Sequence, residues 1–280
     1  MQTRRIGDLD VSAIGLGGMP LSMPADRRPA RADALRTVHA ALDAGVTLID
    51  TADAYCTGPG ELGHNEELVA EALRTWGGDT SGVLVATKGG HTRPSDDDWA
   101  QDGSPEHLRA ACEASLVRLG VDAIGLYQFH RPDPQVPWAE SVGALEQLRQ
   151  EGKVRLVGVS NADPEQIREA AATTHLAAVQ NEFSPRFRSS EPELRLCAEL
   201  GIAFLPWSPL GGIDRNTSDG GFADVARERG VSPQQVVLAW MLAKADVVVP
   251  IPGASRPSSI TDSAAAADLV LTPEELARLG

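Results

Sequence analysis

Tyrosine is scarce in this chain: there are two in 280 residues, Tyr55 and Tyr127, and aromatic residues together make up 4%. Lysine is nearly as scarce. Of 25 basic residues, three are lysines (Lys88, Lys153 and Lys244) and the other 22 are arginines. Positive charge as a whole is in deficit. Against it stand 39 Asp and Glu, for a net charge of −14 and a pI of about 4.8. A general nucleic-acid face needs clustered Lys and Arg against phosphate, so that class is excluded. The acidity itself bears on solubility more than on function. Long apolar runs are missing too. No stretch approaches the roughly 20 residues of a membrane span. The N-terminal "MQTRRIGDLDVSAIGLGG" carries two arginines without the apolar core of a signal peptide. The three cysteines, Cys56, Cys112 and Cys197, lack metal-ligand spacing. Their odd number predicts reduced thiols and a cytoplasmic location. No Cys/His cluster offers a metal, and Asp96-Asp97-Asp98 reads as a solvated loop.

What is present is alternation. Short apolar runs recur along the chain: "SAIGL" from Ser12, then "VTLID", "VLVATK", "IGLYQFH", "RLVGVS", "AAVQN", "IAFLPW" and "DVVVPI". Between them lie stretches with helical spacing. One apolar face is Ala34, Leu35, Val38, Ala41 and Leu42; others are Leu68, Ala72 and Leu73, and Leu108, Ala111, Cys112, Ser115, Leu116 and Leu119. Ser104-Pro105, Asp163-Pro164 and Ser232-Pro233 each read as an N-cap followed by a first-turn proline. Strands alternating with helices imply parallel pairing and right-handed crossovers. Eight of them predict an α/β fold of the (β/α)₈ TIM-barrel type as one domain over 1–280, with "RRIGDLDV" as a preceding hairpin. An open dinucleotide-binding sheet is the competing architecture, but "GLGGMP" places Pro20 where its third glycine belongs. Thr92–Gly103 and Asp214–Gly221 are expected to be polar loops after the third and seventh strands.

Barrel enzymes carry their chemistry at the C-terminal ends of the strands. Those ends hold Asp50, Lys88, His130, Ser160-Asn161, Gln180-Asn181 and Trp207-Ser208, with Tyr55 just beyond Asp50. An arginine-rich chain has thus placed a lysine where an apolar strand meets a loop. A titratable ammonium and a guanidinium are not interchangeable. A buried ammonium needs a counter-charge, and Asp50 on the adjacent strand can supply it. The ammonium is expected to lower the Tyr55 pKa and make the phenol a better proton donor. His130 lies within lateral reach of the same point.

These residues and their setting resemble the aldo-keto reductase family. "DTADAY", "ATKGG", "LYQFHRPDP", "GKVRLVGVSN", "VQNEFS", "PWSPLGG" and "IPGAS" look like family segments in family order, over nearly the whole chain. The resemblance implies a barrel whose bottom is closed by the N-terminal hairpin. It implies NAD(P)H-dependent reduction of an aldehyde or ketone, with NADPH as cofactor and NADH as the alternative. Asp50, Tyr55, Lys88 and His130 would be the catalytic tetrad, Tyr55 giving the proton and His130 orienting the carbonyl. Ser160, Asn161 and Gln180 would meet the nicotinamide carboxamide, with Trp207 stacked on the ring and Asp50 close by. Gly17, Gly18 and Met19 would line its other side. Ser208, Leu210 and Gly212 would follow the pyrophosphate. Ser255, Arg256, Ser259 and Asp262 would face the adenosine end. Met19, Tyr55, Cys56, Trp99 and His130 would shape the substrate pocket. Relatives often hold the adenine with a Glu-Asn pair where this chain has Asp262-Ser263, and some have a lysine and a serine at Gly253 and Ala254. The expected partner is a small carbonyl compound, with no nucleic acid, membrane or metal, in a monomer or weak oligomer. Two other readings stay open: a Schiff-base lyase with Lys88 as nucleophile, and a cofactor-binding regulatory relative with little turnover.

Overall fold

The computed structural model describes residues 1–211 and 221–280. The chain opens with an antiparallel hairpin, β1 (Thr3–Ile6) and β2 (Leu9–Ser12). Its two-residue turn is Gly7-Asp8, and Gly7 has φ +58°, which a residue without Cβ adopts without strain. The strands that follow are β3 (Leu16–Gly17), β4 (Leu48–Asp50), β5 (Leu84–Gly89), β6 (His91–Thr92), β7 (Ala100–Gln101), β8 (Ile124–Phe129), β9 (Val154–Ser160), β10 (Leu176–Gln180) and β11 (Ala203–Phe204). The helices are α1 (Arg31–Asp43), α2 (His64–Thr75), α3 (Pro105–Leu119), α4 (Trp138–Gln150), α5 (Pro164–Thr173), α6 (Glu191–Leu200), α7 (Gly221–Arg229), α8 (Pro233–Leu242), α9 (Pro257–Ala265) and α10 (Pro273–Leu279).

Seven strands form one parallel sheet in the order β11-β10-β9-β8-β5-β4-β3. Residues 247–253 join its two edges. On one side Phe204 N–H donates to Val247 O, Val249 N–H to Phe204 O, and Ile251 N–H to Pro206 O. On the other, Gly15 N–H donates to Pro250 O and Gly17 N–H to Pro252 O. The ring therefore closes as a (β/α)₈ barrel. The eighth apolar run pairs only through isolated bridges, because Pro250 and Pro252 have no N–H to donate. "SAIGL" shortens likewise. Ser12 belongs to β2, and regular pairing begins at Leu16. "IAFLPW" is regular only at Ala203–Phe204, since Pro206 follows.

The three cap-and-proline signals hold. Ser104, Asp163 and Ser232 each accept a backbone N–H at the start of α3, α5 and α8, and Asp163 forms a full capping box with Gln166. The hairpin lies across the barrel's N-terminal mouth. Ile6 and Val11 pack with Leu48, Leu84, Leu126 and Leu156, and Ser12 and Thr47 exchange backbone-to-hydroxyl hydrogen bonds of 2.7 and 2.9 Å. The expected polar loop after the third barrel strand holds a short antiparallel ribbon, β6 with β7. The run Asp214–Gly221 lies outside the described residues, apart from Gly221 at the start of α7.

Gly17 sits on the seam where the ring closes. A Cβ there would stand 2.7 Å from the backbone oxygen of Ile251. Backbone cannot swing aside as a side chain can, so the seam must part. Overpacking of this kind costs about 1–3 kcal/mol. Gly17→Ala should lower the thermal midpoint by roughly 2–8 °C. An unshifted melting curve would show that the seam does not hold the barrel.

Candidate functional site

The C-terminal ends of the strands surround a cavity of about 780 Å³. At its floor is the most deeply buried ion pair among the described residues. Lys88 Nζ donates to Asp50 Oδ1 at 2.8 Å, Oδ2 at 2.7 Å, Thr51 O at 2.9 Å and Tyr55 Oη at 3.0 Å. Lys88 is fully buried and Asp50 nearly so. β5 carries the lysine and β4 the aspartate, on strands paired in register, Asp50 opposite Ala86. Tyr55 hangs from the turn after β4 and lies edge-on to His130, ring centroids 5.6 Å apart. The four residues singled out from the sequence thus converge. Lys88 is hidden behind Tyr55 and is not itself part of the cavity wall.

The electrostatics differ from expectation at one point. Burial raises the Tyr55 pKa above that of a free phenol; Lys88 lowers it only in part, and Asp50 works against Lys88. The expected acidification therefore does not occur, because burial outweighs the ammonium, whose effect Asp50 partly offsets. Burial also pushes Lys88 toward neutrality, but Asp50 and Tyr55 outweigh it and hold the ammonium charged above its ordinary value. His130 is pushed well below the usual histidine range, first by burial and then by His91, Lys88 and Arg131. It is neutral at pH 7. Its Nδ1 is buried without a hydrogen-bond partner. A buried orphan donor is rarer than an orphan acceptor, so we assign the proton to Nε2, the ring nitrogen on the cavity side.

Around this floor the other candidates fall into place unevenly. Ser160, Asn161, Gln180 and Trp207 line one wall. Gln180 Nε2 donates to Asp50 Oδ1 at 2.8 Å, leaving its Oε1 to accept. Asn161 is held at φ +58°, a conformation asparagine tolerates better than most residues. Its Nδ2 donates to His130 O and Ser160 Oγ, both at 3.0 Å, while Oδ1 accepts from Trp207 Nε1 at 3.2 Å. Both ends of that amide serve to fix neighbours. Gly17, Met19, Ser208 and Leu210 also line the cavity, and Ser255, Arg256 and Ser259 flank its far end. Ser208 is the other non-glycine residue with positive φ among the described residues, +48°, and it too lines the cavity.

Besides Lys88, three candidates are not brought to the wall. Gly18 backs onto Asp50: its N–H donates to Asp50 O at 2.7 Å, and a Cβ would meet Asn65 Oδ1 and Asp50 O at 2.7 Å. Cys56 is buried with its thiol against Gly58 O at 3.2 Å. Asp262 accepts from Ser232 Oγ and Gln235 Nε2 at 2.6 and 2.7 Å, so its carboxylate ties α9 to the start of α8 instead of facing a ligand. Gly212 lies outside the described residues. Trp99 does line the cavity, packed at a tilt against His91 and beneath the guanidinium of Arg93. Among the wall residues that the sequence did not single out are His91 and Arg131. Each follows a tetrad member closely in the chain, and that adjacency was the available signal.

With this geometry in hand, comparison with known proteins is specific. Residues 13–280 match the model of the aldo/keto reductase family. An uncharacterized oxidoreductase of Schizosaccharomyces pombe is 34% identical over 99% of this chain and 88% of its own. The glycerol dehydrogenase of Gluconobacter oxydans superposes with a TM-score of 0.84 at 29% identity, over 99% of this chain and 93% of that one. An aldo-keto reductase of Klebsiella pneumoniae in complex with NADPH gives 0.82 at 30%, over 100% and 94%. The chain belongs to the aldo/keto reductase family, and so to a family of oxidoreductases.

A second buried acid sits behind the tetrad. Burial, and then the charge of Glu66, raises the Asp53 pKa to about 8. Between about pH 4 and 8 the unfolded chain has released this proton and the folded chain keeps it. Stability from this group therefore falls as pH rises through that window, by at most about 1.4 kcal/mol per pH unit. Asp53→Asn removes the titration. Its loss of unfolding free energy from pH 5 to 8 in urea should be smaller than that of the parent; equal losses would mean that Asp53 is already ionised when folded at pH 5.

Proposed function

We propose that this protein is an NADPH-dependent carbonyl reductase with Tyr55 as proton donor, acting on an aldehyde or ketone. The observation that carries the reading is the Lys88 ammonium held between Asp50 and the Tyr55 hydroxyl, with Tyr55 and His130 both facing the cavity. The cavity's residues fit a nicotinamide cofactor. Gln180 has a free amide oxygen beside Asp50, Trp207 offers a ring fixed by Asn161, and Arg256 stands at the far end without a carboxylate partner among the described residues. Arg256 is also the N-cap residue of α9, where backbone N–H groups favour an anion. When bound, such a cofactor supplies the hydride.

The protein's own part is protonic and electrostatic. A carbonyl oxygen between Tyr55 Oη and His130 Nε2 would accept two hydrogen bonds. As negative charge grows on that oxygen, His130 stabilises it and Tyr55 delivers its proton. The phenol is protonated at neutral pH, since burial raises its pKa. The nearby ammonium then favours the phenolate left behind, so its help is strongest after transfer begins. The lyase reading needs a neutral, reachable amine, and Lys88 is charged, triply bonded to oxygen and covered by Tyr55. Three buried, unpaired cysteines fit a reducing cytoplasm. Among the described residues no helix is long and apolar enough to cross a membrane.

Tyr55→Phe removes only the hydroxyl. NADPH-driven reduction of benzaldehyde should fall roughly 10²–10⁴-fold, while NADPH affinity changes little. Benzaldehyde reduction at the parent rate in this variant would disprove the assignment of the donor. Arg256→Ala should weaken NADPH about ten- to hundredfold, the loss of one charge-assisted contact, and NADH far less. Equal weakening of both would mean that Arg256 does not read the 2′-phosphate.

A further inference from the structure

The cavity holds a second histidine that the proposed reaction does not use. His91, at the start of β6, packs against His130 with ring centroids 4.2 Å apart and planes tilted by 47°. It is nine-tenths buried, and its Nδ1 is buried without a partner, as in His130. Burial, with Arg131 and Lys88, lowers its pKa to about 4, so it too is neutral. The same tautomer argument puts its proton on Nε2, toward the cavity it lines. Two N–H donors therefore stand side by side, where one carbonyl oxygen needs only one of them beside Tyr55.

Arg131 stands next to this pair. It lines the cavity, and its charge is felt by both imidazoles. It forms no hydrogen bond or ion pair with any described residue. The nearest acid along the sequence, Asp133, is engaged by the N–H groups of Gly103 and Gln135 at 2.9 and 2.8 Å. A partly buried guanidinium without a counter-ion, beside a neutral imidazole donor, is suited to a carboxylate. In the same cavity Met19, Met23, Pro24 and Trp99 present apolar surface.

We propose that His91 and Arg131 form a carboxylate subsite beside His130, which makes 2-oxo carboxylates with an apolar tail the preferred substrates of this protein. The inference rests on the reductase reading for its chemistry. The C2 oxygen takes the Tyr55–His130 position and one carboxylate oxygen accepts from His91 Nε2. The other pairs with Arg131. Hydride adds to C2, the C2–O π bond breaks, and the oxygen takes the Tyr55 proton. The product is a 2-hydroxy carboxylate, and the carboxylate group is unchanged.

Phenylglyoxylate and its methyl ester differ in this group alone and test the subsite. With NADPH, kcat/KM for the acid should exceed that for the ester. Arg131→Gln should cut that ratio at least tenfold, mainly through KM, and Arg131→Lys should recover part of it. His91→Phe keeps a ring and removes the donor, and should lower the ratio as well. Calorimetric titration of both compounds into the protein with saturating NADP⁺ reads the same preference without turnover. A carboxylate preference in calorimetry, lost in Arg131→Gln, with neither compound reduced would sink the reductase reading and support the subsite. An ester bound and reduced as well as the acid, or a ratio that Arg131→Gln leaves unmoved in both measurements, would overturn the subsite.

Discussion

The pair between Lys88 and Asp50 is the contact on which the rest of this molecule's site depends. Two opposite charges are removed from water almost completely. Such a pair survives only if every remaining donor and acceptor is satisfied. The chain does this with backbone and side chains together: Thr51 O and Tyr55 Oη take the other lysine protons, and Gln180 adds a hydrogen bond to Asp50. Breaking either partner would strand a buried charge, at a cost of about 3–5 kcal/mol. The geometry of Tyr55 is thereby fixed by a contact too costly to loosen.

That rigidity has a chemical consequence. A lone ammonium would make Tyr55 acidic. Here burial outweighs the lysine, and the aspartate locked to that lysine offsets part of its help to the phenolate. Burial keeps the phenol protonated, and the pair fixes it at hydrogen-bonding distance from Nζ. The fixed dipole is in place when charge appears on the oxygen, with no rearrangement needed. His130 and His91 follow the same logic from the other side. Burial keeps both rings neutral, and an orphaned Nδ1 on each leaves the donor facing the cavity.

Much of this could be read from the chain. Rarity did the most: one of three lysines and one of two tyrosines proved to be the central contact. Cap residues marked helix starts correctly because an N-cap is a local contact between neighbours in sequence. The short and irregular strands were harder, since β3, β11 and the run at 247–253 are set by proline and by long-range closure. Asp262 shows the limit of family likeness. Its place in the chain suggested a ligand contact, but Ser232 and Gln235, thirty and twenty-seven residues away, claim its carboxylate. The sign of the Tyr55 shift was missed for a related reason. Sequence could suggest the positive neighbour, but the degree of burial depends on the whole fold.

The charge of the chain looks at first unfavourable for an anionic cofactor or substrate. A net −14 repels anions at a distance. At physiological ionic strength, however, charges more than about 8 Å apart across solvent are largely screened. What a ligand meets at the cavity is local. There the one carboxylate in the wall, Asp50, is neutralised by Lys88, while Arg131 and Arg256, without carboxylate partners among the described residues, line the same space. The cavity wall is therefore cationic although the molecule is acidic. The surplus of acid elsewhere can serve solubility without weakening the grip on phosphate or carboxylate, because screening separates the two tasks.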